Sequence, residues 1–67
     1  MDGIGKPDDD DYDEVGNIIE TISSDAGKRI VSGISKCQSG DVTGGMVEIA
    51  IAFTEIHTAF TLKIAYP

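Results

Sequence analysis

Residues 46–66 read MVEIAIAFTEIHTAFTLKIAY, and the fold turns on how this stretch is read. Val47, Ile49, Ile51 and Phe53 alternate with Glu48, Ala50, Ala52 and Thr54, and Phe60, Leu62, Ile64 and Tyr66 alternate with Thr61, Lys63 and Ala65. A period of two predicts strands over about 46–54 and 59–66. The apolar positions switch from odd to even numbers between the runs. An antiparallel pairing of Phe53 with Phe60, Ile51 with Leu62, Ile49 with Ile64 and Val47 with Tyr66 therefore puts every bulky residue on one face. A two-residue turn at Ile56-His57 lacks Asn-Gly chemistry, so a four-residue loop over 55–58 is favoured. The β-branched content of 46–58 and the preceding Gly44-Gly45 weigh against a helix there.

Upstream the period becomes helical. Val15, Ile19, Ile22, Ala26, Ile30, Ile34 and Cys37 form a stripe at steps of three and four, which predicts a helix over about 13–38. Acids crowd its start, and Lys28, Arg29 and Lys36 lie in its second half, the sense that complements the helix dipole. Ser39-Gly40-Asp41 supplies the stop, with Gly40 suited to a left-handed cap, and Val42-Thr43-Gly44-Gly45 reads as a hinge. Gly16, Gly27 and Gly33 weaken the helix; one helix, bent or straight near Gly27, is the reading preferred over a split into two shorter helices at Ser23-Ser24-Asp25. The expected architecture is α+β: one amphipathic helix on an antiparallel β-hairpin, with residues 12–67 as a single α-β-β domain. The hairpin leaves open edges. Pairing two copies edge to edge gives a larger sheet and a homodimer, with Ala50, Ala52, Thr54, Thr61 and Lys63 as its smooth assembly face.

The chain has 67 residues, a formal net charge of −7 and one cysteine. That length excludes multi-domain enzymes, and five basic residues against twelve acidic ones argue against direct nucleic-acid binding. A lone Cys37 excludes an intramolecular disulfide, and one Cys with one His falls short of a zinc site. The start has neither the basic nor the apolar run of a signal peptide, and the apolar stretches, interrupted by Glu, Thr and Lys, are too short to span a bilayer. A cytoplasmic protein without membrane attachment is expected.

The charge is uneven. Asp2, Asp8, Asp9, Asp10, Asp11, Asp13 and Glu14 against Lys6 give residues 1–14 a charge of −6, and the remainder carries −1. Residues 1–11 hold little apolar surface and read as a flexible acidic arm. Asp8, Asp9, Asp10, Asp11, Asp13 and Glu14 are its candidate partner-binding residues, suited to a basic protein surface. An EF-hand register places Asp9, Asp11, Asp13, Asn17 and Glu20 at ligand positions. It fails where Glu14 stands in place of the turn glycine and Gly16 in place of an aliphatic residue. Cys37 and His57 are the only nucleophile–base candidates, and nothing nearby activates either. No catalytic residue, metal or cofactor is expected.

Ile30-Val31-Ser32-Gly33-Ile34, the glycine break, the run from Val47 to Phe53 and the closing run from Phe60 to Ile64 together resemble the small trypsin-co-occurring (trypco) domains. The similarity covers residues 15–66 and is one of pattern. It implies an accessory binding role beside trypsin-like or NTPase-type modules in bacterial conflict systems, and carries over no catalytic residue. The short strand connection and the acidic arm depart from it. The functional expectation is a non-enzymatic, self-associating protein-interaction module. The alternative is a phage-type inhibitor or DNA mimic acting through the acidic segment in an infected host cell.

Overall fold

The computed structural model describes residues 9–67, with side chains from Asp11 onward. Two helices, α1 (Asp9–Gln38) and α2 (Val42–Ala65), fold back on each other as an antiparallel hairpin, and no strand occurs among the described residues. The α+β expectation is therefore overturned. Both expected strands, 46–54 and 59–66, lie on α2 except for Tyr66 just past its end, and the expected loop over 55–58 is mid-helix. Without a sheet there is no edge for the proposed edge-to-edge dimer. The runs that carried the family resemblance lie within the two helices. α1 begins four residues earlier than expected, so Asp9, Asp10 and Asp11 are helical and not part of an extended arm.

The connection explains why α2 starts where it does. Gly40 adopts φ +99°. The Gly40 N–H donates to the Cys37 carbonyl at 3.2 Å and the Asp41 N–H to the Lys36 carbonyl at 2.8 Å, the paired bonds of a Schellman stop. Asp41 then caps α2: its side chain accepts from the Gly44 N–H at 2.9 Å, and its carbonyl accepts the first helical bond from Gly45 at 2.9 Å. The stretch 42–45, expected as a hinge, is the capped first turn of a helix.

Small residues hold the helices together. Gly45, Ala52 and Ala59 are the buried residues of α2, seven positions apart, and Val15, Ala26 and Gly33 are buried on α1. Among the described residues no large side chain is fully buried. At the loop end the backbones themselves meet. A Cβ on Gly33 would lie 2.7 Å from the Gly45 carbonyl oxygen and 2.6 Å from Ile49 Cγ1, and one on Gly45 would lie 2.5 Å from the Gly33 carbonyl oxygen. Twenty-one residues further along each helix, Tyr12 and Tyr66 meet edge to face at 5.8 Å and close the open end in the same register.

The helical rotation of about 100° per residue sorts the rest. Gly16, Ser23, Gly27 and Ile34 on α1 each follow a residue of the inner stripe, as do Met46, Phe53 and Phe60 on α2. Because the helices run in opposite senses, both sets turn toward the same side of the hairpin. Asp25, Arg29, Glu48 and Glu55 turn toward the other side, where they touch one another. A two-helix layer covers little surface.

Substituting Gly33→Ala should lower the stability of the helical state by about 1–2 kcal/mol. Alanine's better helix propensity is outweighed by forcing backbone away from backbone. Ser35→Ala, exposed on the outward side of the same helix, should instead be neutral or slightly stabilising. Thermal melts followed by circular dichroism check both, and a stabilised Gly33→Ala protein would show that the helices do not meet there.

Candidate functional site

On one side of the hairpin a single guanidinium serves three carboxylates. Arg29 Nε donates to Asp25 Oδ2 at 2.6 Å and Nη1 donates to Glu48 Oε1 at 3.2 Å. Glu55 Oε1 lies 3.3 Å from the same Nε. That nitrogen carries one hydrogen, already directed at Asp25, so the Arg29–Glu55 contact is Coulombic and the buried Glu55 Oε1 accepts no hydrogen bond. The hydrogen bond from Arg29 holds the Asp25 carboxyl below its ordinary value, and the bond to Asp25 raises Arg29 further. Burial pushes Glu55 up, and the neighbouring Asp25 adds to that shift.

The opposite side is apolar. Ile34, Met46, Phe53, Ile56, Phe60 and Ile64 are 42–67% exposed there, leaving on the order of 800 Å² of largely apolar surface. That exceeds the largest patch of an ordinary monomer, roughly 300–600 Å². Beside these large residues, Gly16 and Gly27 of α1 have open space where a Cβ would stand. α2 is also long and apolar enough to cross a membrane, with 17% of the apolar window buried inside the hairpin. Read as two strands, this continuous apolar helix was not visible.

The residues singled out from the sequence scatter over this framework. Ala52 is buried against α1, while Ala50, Thr54 and Thr61 lie exposed on the outward side of α2 and Lys63 is exposed in its last turn. Asp8 lies outside the described residues, and Asp9 and Asp10 open α1 without described side chains. Asp11, Asp13 and Glu14 are exposed along its first turns. Asp11, Asp13, Asn17 and Glu20 lie on one continuous helix and do not form a cation loop. No group of potential metal ligands gathers among the described residues.

Cys37 Sγ contacts the Val42 carbonyl at 3.9 Å near the loop. His57 sits exposed on α2, roughly 18 Å further along than Gly45, so the two never form a dyad. The Arg29 seam and the contiguous apolar face were both missed. The signal for them was the seven-residue spacing of Gly45, Ala52 and Ala59, with Glu48 and Glu55 at the same interval. No protein-family model matches the chain, and no curated protein or solved structure matches it at a significant level.

Glu55→Gln should raise the thermal midpoint at pH 7. Folding holds the Glu55 carboxyl above its ordinary 4.5, so its proton stabilises the hairpin fully below that pH, and the stabilisation is lost as pH rises through the folded value. Asp25 acts in the opposite sense. Its contribution is present above 3.8 and is lost as pH falls through its lowered folded value. The Gln variant and the parent should therefore diverge at neutral pH and converge below pH 4.5. A lower midpoint for the variant at pH 7 would show that attraction to Arg29 outweighs burial.

Proposed function

We propose that the chain is a non-enzymatic interaction module that works by protein–protein contact through its apolar face. The observation that carries this reading is the contiguous exposed row Met46, Phe53, Phe60 and Ile64, 62–67% exposed, on a hairpin whose interior is filled by glycine and alanine. Such a module is unfinished in water: hydrophobic burial is the main favourable term in folding, and here the large side chains lie outside it. A partner surface completes the burial.

Lipid is the competing occupant, and the charged seam speaks against it. A charge at the centre of a spanning helix costs about 2.5–3.5 kcal/mol, and Glu48 and Glu55 are both on α2. Their counter-ion, Arg29, belongs to α1, which also carries Asp13, Glu14, Glu20, Lys28 and Lys36 and cannot follow α2 into hydrocarbon. Insertion of α2 would require the hairpin to open and both carboxylates to lose their partner.

Mixed with neutral phosphatidylcholine vesicles and centrifuged through a density gradient, the protein is expected to stay at the bottom, apart from the vesicles. Co-flotation with α2 protected would overturn the reading in favour of a membrane segment.

A further inference from the structure

We infer that the occupant of the apolar face is a second copy of this chain, the two hairpins closing into an antiparallel four-helix bundle in which α2 of each packs on α1 of the other. This rests on the protein-contact reading above and goes further by naming the partner. The first support is geometric. α2 carries two apolar lines at seven-residue intervals: Gly45, Ala52 and Ala59 toward α1, and Met46, Phe53 and Phe60 one residue later. The lines are turned by about 100°, near the right angle between the two neighbours of a helix in a square four-helix arrangement. A helix with one partner needs one line. This helix has two.

The second support is size. The exposed apolar area, on the order of 800 Å² per chain, matches what one partner contributes to a standard interface. The third is shape. On the shared face α2 presents large residues, and α1 presents mainly small ones, Gly16, Ser23 and Gly27, with open space above both glycines, and Ile34 toward the loop end. A two-fold axis parallel to the helices sets the large row of one copy on the small row of the other, and all four neighbouring helices are then antiparallel.

The register follows from the hairpin itself. Gly33 is level with Gly45 and Tyr12 with Tyr66, so Phe53 is level with Asp25. Without axial shift, Phe53 enters between Ser23 and Gly27 of the second copy, Met46 enters between its Ile30 and Ile34, and Phe60 enters between its Gly16 and Glu20. Each row repeats every seven residues, so one fit enforces the others. The charged seams of both copies remain on the outside, where Arg29 and its carboxylates keep access to water.

The test uses the full chain. Sedimentation equilibrium is expected to give twice the 7.1 kDa monomer mass, and the thermal midpoint should rise by several degrees over about a hundredfold increase in concentration. A folded monomer with a concentration-independent midpoint would overturn the second-copy assignment. It would leave the protein-contact reading standing, since that reading falls only on vesicle insertion. The packing is tested in a Cys37→Ser background, with each variant checked for helicity. An oxidised equimolar mixture of Ser23→Cys and Phe53→Cys proteins should form a mixed covalent dimer, with neither variant dimerising efficiently alone. Self-linkage of Phe53→Cys would place α2 on α2 and overturn the proposed arrangement.

Discussion

The contact of backbone on backbone at Gly33 and Gly45 constrains everything else in this molecule. Interaxial distance in a helix pair is set by the side chains at the crossing, and here the inner residues are glycine, alanine and one valine. That close approach buries no large side chain completely among the described residues, and Ile19, Ile22, Ile30, Ile49 and Leu62 along the contact are only half-buried. The phenylalanines, with Ile34, Ile56 and Ile64, which would form the core of a thicker domain, are turned to the flank. The thin interior and the exposed apolar face are thus one fact seen from two sides.

Arg29 gives the layer its asymmetry. Its bonds to Asp25 and Glu48 and its proximity to Glu55 join both helices on one side only. Three carboxylates around one guanidinium leave the cluster net negative, and Glu55 bears the cost as a buried oxygen without a donor. This arrangement does little for stability, since partly exposed ion pairs contribute modestly. It acts instead on specificity. A helix otherwise apolar around most of its circumference has one orientation in which both glutamates meet a cation, and that orientation commits Met46, Phe53 and Phe60 to the opposite side.

Half of the fold was legible in the sequence. The inner stripe of α1 from Val15 to Ile30 and the left-handed Gly40 follow from spacing and turn chemistry alone, although at the loop end the helix buries Gly33 and leaves Ile34 exposed. α2 was not legible by the same means, because an almost wholly apolar helix shows a period of two as readily as a period of 3.6. Two physical cues favoured the helix. Residues 55–58 contain no glycine, proline, asparagine or aspartate to make a hairpin turn. The threonines that suggested a strand are reconciled with the helix by hydroxyl bonds one turn back: Thr54 donates to the Ala50 carbonyl, Thr58 to Thr54 and Thr61 to His57, at 2.9–3.1 Å. The interaction surface was hidden for the same reason, since a face exists only once the period is known.

The distribution of charge then bears on how far association can go. An exposed apolar face on a small protein invites open-ended aggregation unless the contact is closed. Here the outward surface of α1 is largely polar, although Ile18, Val31, Val47 and Ile51 are also exposed away from the apolar face. Asn17, Glu20, Ser24 and Lys28 occupy the outward surface of α1, and Asp11, Asp13 and Glu14 are exposed near its start. With −7 on every chain, each added copy would meet growing electrostatic repulsion. A face that is satisfied by its own two-fold mate leaves nothing for a third copy to bind. In the proposed two-copy bundle the acidity would have a physical role that needs no basic partner: it would oppose the addition of further copies.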